Sequence, residues 1–524
     1  MNSWSVSAVA LIVFLVIPVA ALLFSGLDTP TEVWDHVSQT LLPRYLSNTF
    51  YISFFIGFFT VILGFVPAWF VVMYDFPLRR SLEWMLILPL SIPSYILGFT
   101  YVGILDFTGP VQTFLRNYAG IDAGQFIDIM NIEGVIFVMS FALYPYIYII
   151  TRSTLAGQSA SMLESSRLLG KSAYKTFFKL ALPLSRPAII AGLFLVLMEV
   201  LNDYGTVKYY GIDTFTTGIF RAWYALGDPH TAIKLSLILM AFVIVLVALE
   251  RIQRGKARFD GSSTGKPIAK KTLSSSKKWI VSAVCLTPVL FGFIIPVIQL
   301  IAWMFKTYST ALDPQFWNMV ANSFLLALTA SILAVLIAVL LIFNTRINNN
   351  NFMKMLAKSS TFGYAIPGAV IAVGVLMTFS YTDNWTGSFL ILSGSLFGLV
   401  YAYLVRFLAV AYNPVQSGFE QQCNNTDQAS RTLGISSLKT LFKINLPIAK
   451  TSVLSAVILV FIDILKELPL TLILRPFNFN TLATRAFELA SNEMVAEAST
   501  SALIIILTGL IPILFLNRLM GYRS

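Results

Sequence analysis

Two twenty-residue stretches decide the fold: Glu164–Pro183 reads ESSRLLGKSAYKTFFKLALP, and Gln428–Pro447 reads QASRTLGISSLKTLFKINLP. They align without a gap at an offset of 264 residues, and 11 of the 20 positions are identical. The identical residues include an Arg, a Gly, two lysines and a closing Leu-Pro. An internal repeat of this kind indicates that the chain consists of two related halves. We call these stretches the first and second repeat segments.

The chain around the repeat segments has the composition of an integral membrane protein. Hydrophobic residues make up 57% of it and charged residues 12%, which is too few charges to cover a soluble globule. Because a span needs roughly 20 mainly apolar residues, the sequence predicts about twelve spans. They lie at 6–25, 48–73, 84–104, 134–152, 185–204 and 232–250, and again at 279–304, 322–344, 359–380, 388–411, 449–468 and 501–519. Pro93 and Pro367 interrupt the third and ninth spans and predict a kink in each.

The predicted fold is therefore all-α and polytopic, with two homologous six-helix halves related by pseudo-two-fold symmetry. Residues 1–250 form the first half and 279–524 the second. Between them, 251–278 is rich in Lys, Ser and Gly without apolar periodicity, which is typical of a flexible basic linker. The first span lacks the basic start of a secretory signal, so we expect it to be retained.

Charge predicts the orientation. The net charge is +11, and with an inside N-terminus most of the 36 Lys and Arg fall on the side of the repeat segments. Basic residues collect on the cytoplasmic side of membrane proteins. We therefore expect both termini, the linker and the repeat segments in the cytoplasm, and no nucleic-acid partner. The two cysteines, Cys285 and Cys423, suggest neither a disulfide framework nor a thiolate metal site.

Each repeat segment predicts a short helix, a break at Gly, an amphipathic helix and a Pro that starts the next span. Such a helix lies on a membrane surface or in a groove of a partner protein. Contact with lipid alone would not fix the spacing of Gly, Phe and Pro in two copies, so the pattern favours a protein partner.

The pattern E-x-x-x-x-x-G with a closing L-P resembles the EAA loop of ATP-binding cassette importer permeases, whose helix docks on the nucleotide-binding subunit. The resemblance implies coupling loops at 153–184 and 412–448 and two copies of a cytoplasmic ATPase subunit. The second segment departs from the family pattern at one position, since Gln428 replaces the Glu. The residues implied in docking are Glu164, Arg167, Gly170, Phe178 and Pro183 in the first segment, and Gln428, Arg431, Gly434, Phe442 and Pro447 in the second.

The chain itself has no nucleotide-binding motif. GSSTGKP from Gly261 resembles a phosphate loop, but three residues separate its glycines where four are needed, and Pro267 replaces the Ser or Thr. We therefore expect a transport subunit that is not an enzyme and binds no cofactor, with ATP hydrolysed by a separate chain.

Four acids lie near the ends of the fifth and eleventh spans. LMEVLNDYGT aligns with FIDILKELPL, which pairs Glu199 with Asp463 and Asp203 with Glu467. Acids four residues apart share a helix face, and ionisable groups in a span usually face a polar interior. The four carboxylates are candidates for a shared substrate path that attracts a highly charged cation. The alternative is a water-facing position, with Asp463 paired to Lys466.

The segments that follow, LNDYGTVKYYGIDTFTTGIFRAW and KELPLTLILRPFNFNTLATRAFELAS, closely resemble those of fused ferric-iron permeases of the bacterial inner membrane. They pair Arg221 with Arg485. The resemblance covers essentially the whole chain and implies Fe³⁺ as cargo and a periplasmic iron-binding protein as partner. With this cargo, our hypothesis is that the four acids are transient Fe³⁺ ligands. Thiamine permeases share the fused layout and the EAA loops, so import of thiamine or another small solute is the alternative.

Two other classes of protein fit less well. A secondary transporter of the major facilitator type also has about twelve spans, but it needs no paired basic helices, and YDFPLRRSLEW lacks that family's loop pattern. A membrane enzyme requires catalytic groups. The histidines are His36 and His230, both in predicted outside loops, and neither belongs to a catalytic or metal-binding pattern.

Overall fold

The computed structural model describes residues 3–120, 128–157, 173–254, 270–311, 314–348, 350–387 and 392–521. Within these ranges nearly all regular structure is helical, which confirms the predicted all-α class. The strands in the described ranges are β1, Tyr74–Asp75, and β2, Lys271–Thr272, which pair in parallel. Strand β2 lies near the end of the predicted linker and ties that end to the residues after the second span.

The helices up to the linker are α1 Ser3–Ser25, α2 Glu32–Thr40, α3 Leu42–Met73, α4 Arg79–Met85, α5 Ser94–Leu105, α6 Pro110–Phe114, α7 Ile132–Gly157, α8 Ala173–Thr176, α9 Leu182–Asn202, α10 Gly205–Tyr209, α11 Phe215–Phe220 and α12 Pro229–Arg254. One 3₁₀ turn, Leu88–Ser91, and π-helical turns at Leu115–Ala119, Phe177–Ala181 and Arg221–Ala225 also occur there.

The helices after the linker are α13 Ser275–Val289, α14 Ile295–Ala311, α15 Pro314–Asn348, α16 Asn351–Ser359, α17 Gly368–Trp385, α18 Leu396–Glu420, α19 Asn424–Thr432, α20 Ser437–Thr440, α21 Leu446–Lys466, α22 Pro469–Leu474, α23 Leu482–Ser491 and α24 Val495–Gly521. A 3₁₀ turn lies at Ser360–Ala365, and π-helical turns lie at Leu290–Ile294 and Leu441–Asn445.

The described residues contain ten helices long and apolar enough to cross a membrane, and twelve spans if each of two bent helix pairs is counted as one. The bent pairs are Arg79–Ser91 with Ser94–Ala119, at 94°, and Asn351–Ala365 with Gly368–Trp385, at 112°. They occupy the third and ninth predicted spans. The number of spans agrees with the sequence, but these two are not straight.

Pro93 and Pro367 lie at the two breaks. Each directly precedes the first residue of a new helix and has an extended ψ, 144° for Pro93 and 142° for Pro367. Because proline has no N–H and its ring crowds the preceding turn, it favours a break in the helix, and here each proline lies at such a break. The chain therefore turns through about a right angle, a sharper change than the kink that the sequence predicts.

The chain forms two compact units. Unit 1 consists of Met1–Val37, Gly218–Met240 and Leu312–Arg485, and unit 2 of Ser38–Thr217, Ala241–Ala311 and Ala486–Ser524. Each unit contains helices from both halves of the sequence. The two units therefore do not correspond to the two halves of the sequence. The predicted boundaries of the sequence halves at 250 and 278 stay a prediction.

Small residues hold the core helices of unit 2 together. Helix α7 packs mainly against α3 and α9. A Cβ on Gly64 would lie 2.9 Å from Cβ of Ile147, and one on Gly192 would lie 2.8 Å from Cα of the same residue. Helices in membranes associate through close packing at small residues. Ile147 is fully buried at this contact of three helices.

Unit 1 has a similar core. Helix α18 packs mainly against α21 and α15, and α1 packs mainly against α17. A Cβ on Gly418 would lie 2.6 Å from Cβ of Ser452, and one on Gly374 would lie 2.6 Å from the carbonyl oxygen of Pro18. Tyr401 of α18 also donates its hydroxyl to the carbonyl oxygen of Phe14. The first predicted span is therefore a packed part of unit 1.

Candidate functional site

The second repeat segment begins in a short helix and continues in a long one. Gln428 and Ser430 belong to α19, which ends at Thr432, and Gly434 follows with a φ of +70°. This φ lies in the left-handed region that glycine adopts without strain. The helix that begins at Ser437 then runs without interruption to Lys466. The predicted amphipathic helix is thus not a separate element but the first turns of the eleventh span.

A π-helical turn precedes the proline in both repeat segments. Phe177–Ala181 lies just before Pro183, and Leu441–Asn445 lies just before Pro447. A proline inside a helix lacks its N–H and crowds the carbonyl four residues earlier, and a π turn accommodates it. Both prolines therefore lie inside a continuous helix. Glu164, Arg167 and Gly170 lie outside the described residues.

Large apolar side chains of both repeat segments are exposed. In the first segment Tyr174 is 72% exposed and Phe178 47%, and in the second the aligned Leu438 is 51% and Phe442 62% exposed. Each pair is four residues apart and so lies on one helix face. Clusters of exposed apolar side chains mark interaction surfaces. We call these two pairs the apolar faces of the repeat segments.

A polar network fixes the second repeat segment to its own unit. The Arg346 guanidinium forms an ion pair with Asp427 and donates to the carbonyl oxygen of Phe419 at 2.6 Å. Nδ2 of Asn445 donates to Oδ1 of Asp427 and to Oε1 of Gln422, both at 3.0 Å. The network therefore connects α15, α18, α19 and the start of the eleventh span. The sequence prediction missed these residues, although Asp427 directly precedes the predicted Gln428.

Asp203 caps a short helix of unit 2. Its carboxylate accepts hydrogen bonds from the backbone N–H groups of Thr206 at 2.9 Å and Val207 at 3.2 Å. It also accepts from the hydroxyls of Thr206 at 2.8 Å and Ser94 at 2.5 Å. A carboxylate at a helix start satisfies N–H groups that have no partner within the helix. Asp203 thus connects the end of α9 to α10 and to the start of α5.

Glu467 is the aligned residue and caps α22 of unit 1 in the same way. Its carboxylate accepts from the backbone N–H groups of Leu470 at 3.1 Å and Thr471 at 3.0 Å, and from the Thr471 hydroxyl at 3.0 Å. The guanidinium of Arg406, which is 6% exposed, lies beside it. A Cβ on Gly368 would lie less than 3 Å from both Glu467 and Arg406. Arg406 was also missed from the sequence.

Glu199 and Asp463 have a different environment from these two caps, since both are only half-buried. The Tyr146 hydroxyl donates to Glu199 at 3.4 Å. The positive charges of Lys466 and Arg406 act on Asp463, and the pairing of Asp463 with Lys466 stays a prediction. The role of Glu199 and Asp463 as ligands stays a prediction.

The remaining predicted residues, Arg221 and Arg485, both belong to unit 1. Arg221 begins a π turn and is half-buried, while Arg485 lies on α23 and is exposed. In the described part of the chain, no three or more His, Cys, Asp or Glu side chains gather where they would hold a metal ion. The described conformation thus contains no closed metal site among those residues.

The fold defines the class of protein: a polytopic α-helical membrane protein with two sets of spans, each with one repeat segment at the start of its fifth span. The family described as the inner membrane component of binding-protein-dependent transport systems matches residues 60–258 and 354–523. The chain belongs to this family. It is a multi-pass inner membrane permease component, and the major facilitator alternative is thereby excluded.

The chain is similar to several permeases of known name. It is 28% identical to the Fe(3+)-transport system permease protein FbpB 2 of Haemophilus influenzae, over 91% of this chain and 90% of that protein. It is 23% identical to the ferric transport system permease protein FbpB of Actinobacillus pleuropneumoniae, over 86% of this chain and 68% of that protein. The sulfate transport system permease protein CysT of Salmonella typhimurium is 23% identical over 42% of this chain and 80% of that protein.

Proposed function

We propose that the chain is the permease of an ATP-driven importer that moves Fe³⁺ from a periplasmic iron-binding protein into the cytoplasm. The observation that carries the proposal is similarity to a ferric permease along nearly the full length of both proteins. The sulfate permease covers less than half of this chain. Thiamine import, the alternative open from the sequence, has no comparable support among these relatives.

The apolar faces are the proposed docking sites for two copies of a cytoplasmic ATPase subunit. Tyr174 with Phe178, and Leu438 with Phe442, offer one exposed apolar pair per segment. An amphipathic helix binds a partner's groove through such a pair. In unit 1, a cavity of about 640 Å³ is lined in part by Lys354, Lys358 and Gln428, the first residue of the second repeat segment. The cavity offers amide and cationic groups where the family pattern has a glutamate.

The continuous helices explain how docking would move the spans. Because Ser437–Lys466 is one helix, a movement of Leu438 or Phe442 on binding of the ATPase would be transmitted along the helix to Asp463 near its other end. The same holds for Tyr174–Asn202 and Glu199. ATP is bound and hydrolysed by the partner, and this chain binds no cofactor in the proposal. Both termini and the repeat segments lie in the cytoplasm, on the side of the ATPase.

Glu199 and Asp463 are the proposed contacts for the cargo. Hard, highly charged cations prefer carboxylate oxygens. Asp203 and Glu467 already use their oxygens on helix caps, so their proposed contribution is to place the two half-buried acids and to add negative charge nearby. Exchange of weak ligands suits transport, because the ion must be able to leave.

The test is reconstitution of the full chain with its ATPase and binding protein in lipid vesicles. Uptake of ferric iron presented on the binding protein is measured with ATP and with a non-hydrolysable analogue. The expected result is ATP-dependent iron uptake that excess thiamine and sulfate do not reduce. If labelled thiamine accumulates and iron does not, the cargo is wrong while the importer class stands.

A further inference from the structure

The two repeats hold their capping acids in different ways. In unit 2, the Ser94 hydroxyl contacts Asp203. Ser94 directly follows Pro93 and Gly368 directly follows Pro367, so Gly368 of unit 1 corresponds to Ser94. Without a side chain at Gly368, the space beside Glu467 is occupied by the guanidinium of Arg406. The arginine thus takes the place that a serine has in the other repeat.

Arg406 comes from α18, and α18 contacts the cap a second time. The Tyr403 hydroxyl lies 2.6 Å from the hydroxyl of Thr471, one of the residues that donates to Glu467. Tyr403 and Arg406 are three residues apart and share one face of α18. The positions aligned with them at the offset of 264 are Met139 and Ala142, both buried and apolar. At these two positions of the helix, polar side chains are therefore specific to the second repeat.

The other end of α18 is tied to the second repeat segment. Arg346 donates to the carbonyl oxygens of Phe419 and Cys423, and it pairs with Asp427 of α19. Arg406 lies 14 residues before Glu420, the last residue of α18. At 1.5 Å per residue, Arg406 and the end of α18 that Arg346 holds are about 20 Å apart along the helix. At the offset that pairs Pro93 with Pro367, Arg346 aligns with the apolar Val72, and at the offset of 264 Asp427 aligns with the apolar Leu163.

We infer that Arg406 and Tyr403 are positioning residues that transmit movement of the second repeat segment, through α18, to the cap that Glu467 forms at the far end of α21. The inference rests on the proposed function. Helix α18 is the rigid element. Arg346 of α15 holds its end on the proposed ATPase side, and Arg406 lies beside Glu467 at its other end and acts electrostatically on Asp463. An ionised side chain within a membrane span is costly and usually serves function. The second repeat consequently carries the stronger link between ATP hydrolysis and cargo movement.

The test compares the amount of cargo moved per ATP hydrolysed in the reconstituted complex. Arg406→Gln is expected to keep ATP hydrolysis stimulated by the binding protein but to lower cargo per ATP by about fivefold, the lower range of measured couplings between sites. Tyr403→Phe is expected to lower the ratio less, and Arg406→Lys to restore most of it. The matched control is Tyr101→Phe, which removes one hydroxyl hydrogen bond, to Phe291, in unit 2.

A second variant tests the inference if Arg406→Gln does not fold. The double substitution Gly368→Ser with Arg406→Ala copies the cap of the first repeat into the second, and we expect it to assemble but to lose coupling. The inference is overturned if either folded variant moves as much cargo per ATP as the wild type. It is also overturned if ATP hydrolysis and transport fall in proportion, or if Tyr101→Phe causes the same loss. If the wild type moves thiamine and not iron, the proposed cargo fails, and the same ratio measured with thiamine still decides the role of Arg406.

Discussion

Asn445 donates a hydrogen bond of 3.0 Å to Asp427, and this contact joins the short helix of the second repeat segment to the start of the eleventh span. Asn445 lies in the π turn before Pro447, and Asp427 lies on α19. Since Arg346 holds the same carboxylate from α15, Asp427 is the point where three helices meet. The proposed docking surface therefore rests on a fixed support within unit 1.

Replacement of Asp427 by Ala should weaken this support. The variant leaves the largely buried Arg346 guanidinium and the Asn445 amide without their shared acceptor. The loss of such a partner lowers the free energy of unfolding by about 1–3 kcal/mol. We expect a lower melting temperature of the purified chain and weaker co-purification with the ATPase. Gln428→Ala, which changes the exposed neighbouring residue, is the control and should leave the melting temperature unchanged. Equal melting temperatures for the two variants would remove Asp427 from the support.

Neutralisation of the half-buried acids should stop transport. Glu199→Gln together with Asp463→Asn removes the two carboxylates proposed to contact Fe³⁺, while both side chains keep their size. We expect iron uptake to be abolished, with the complex still assembled and ATP still hydrolysed. Iron uptake into vesicles and co-purification of the ATPase are measured on the same preparation. Normal uptake by the double variant would take these acids out of the cargo path.

The spans and the repeat were predictable because both depend on local sequence. Runs of apolar residues specify spans whatever their neighbours are, and the identities shared by Glu164–Pro183 and Gln428–Pro447 are independent of the fold. The angle of the bends at Pro93 and Pro367 was not predictable, because a kinked span and a span broken at a right angle have the same hydropathy. The continuity of the helix Ser437–Lys466 was not predictable either. Pro447 suggests the start of a new helix, but the π turn before it allows the helix to continue through the proline.

The capping roles of Asp203 and Glu467 depend on tertiary structure. The helices that they cap, α10 and α22, are five and six residues long, too short for a periodic pattern. Arg406 carried one usable signal, a single cation in the otherwise apolar run YAYLVRFLAV from Tyr401. Its neighbour Gly368 lies 38 residues earlier in the chain, and the contact with Glu467 appears only when α17, α18 and α21 pack together.

Substitution of Gly434 should separate backbone strain from steric contact. Its φ is +70°, and a Cβ built there meets no atom within 4 Å, so the cost of a side chain comes from the backbone alone. Left-handed backbone costs an ordinary residue roughly 1–2 kcal/mol, and asparagine less. We expect Gly434→Val to lower both ATPase binding and iron moved per ATP, and Gly434→Asn to remain close to wild type. Equal activity of the Val and Asn variants would show that the turn does not need this conformation.

The same experiment extends to the first repeat segment through Gly170, the aligned residue. Bulky residues at both glycines together are expected to uncouple the ATPase more completely than either alone, because each segment is proposed to bind one ATPase copy. ATP hydrolysis and iron uptake are measured for the two single variants and the double variant. Unchanged ATP-driven transport by the double variant would count against docking at these segments.

Asp228 should make the stability of unit 1 depend on pH in the acid range. Burial opposes ionisation of this carboxylate, but hydrogen bonds from Thr231 and Thr31, both 2.6 Å, and from the backbone N–H of His230 outweigh it and place its pKa below the usual value. A lowered pKa in the folded state means stability that is fully present above the ordinary aspartate pKa of about 3.9 and is lost as the pH falls towards the folded value. We expect the melting temperature of the detergent-solubilised chain to fall from pH 5 to pH 3, by less in Asp228→Asn. Thr31→Val removes one donor and keeps the carboxylate, which brings the folded-state pKa of Asp228 closer to the ordinary value, so the fall should be smaller than in the wild type. An identical pH profile in all three proteins would exclude Asp228 as its source.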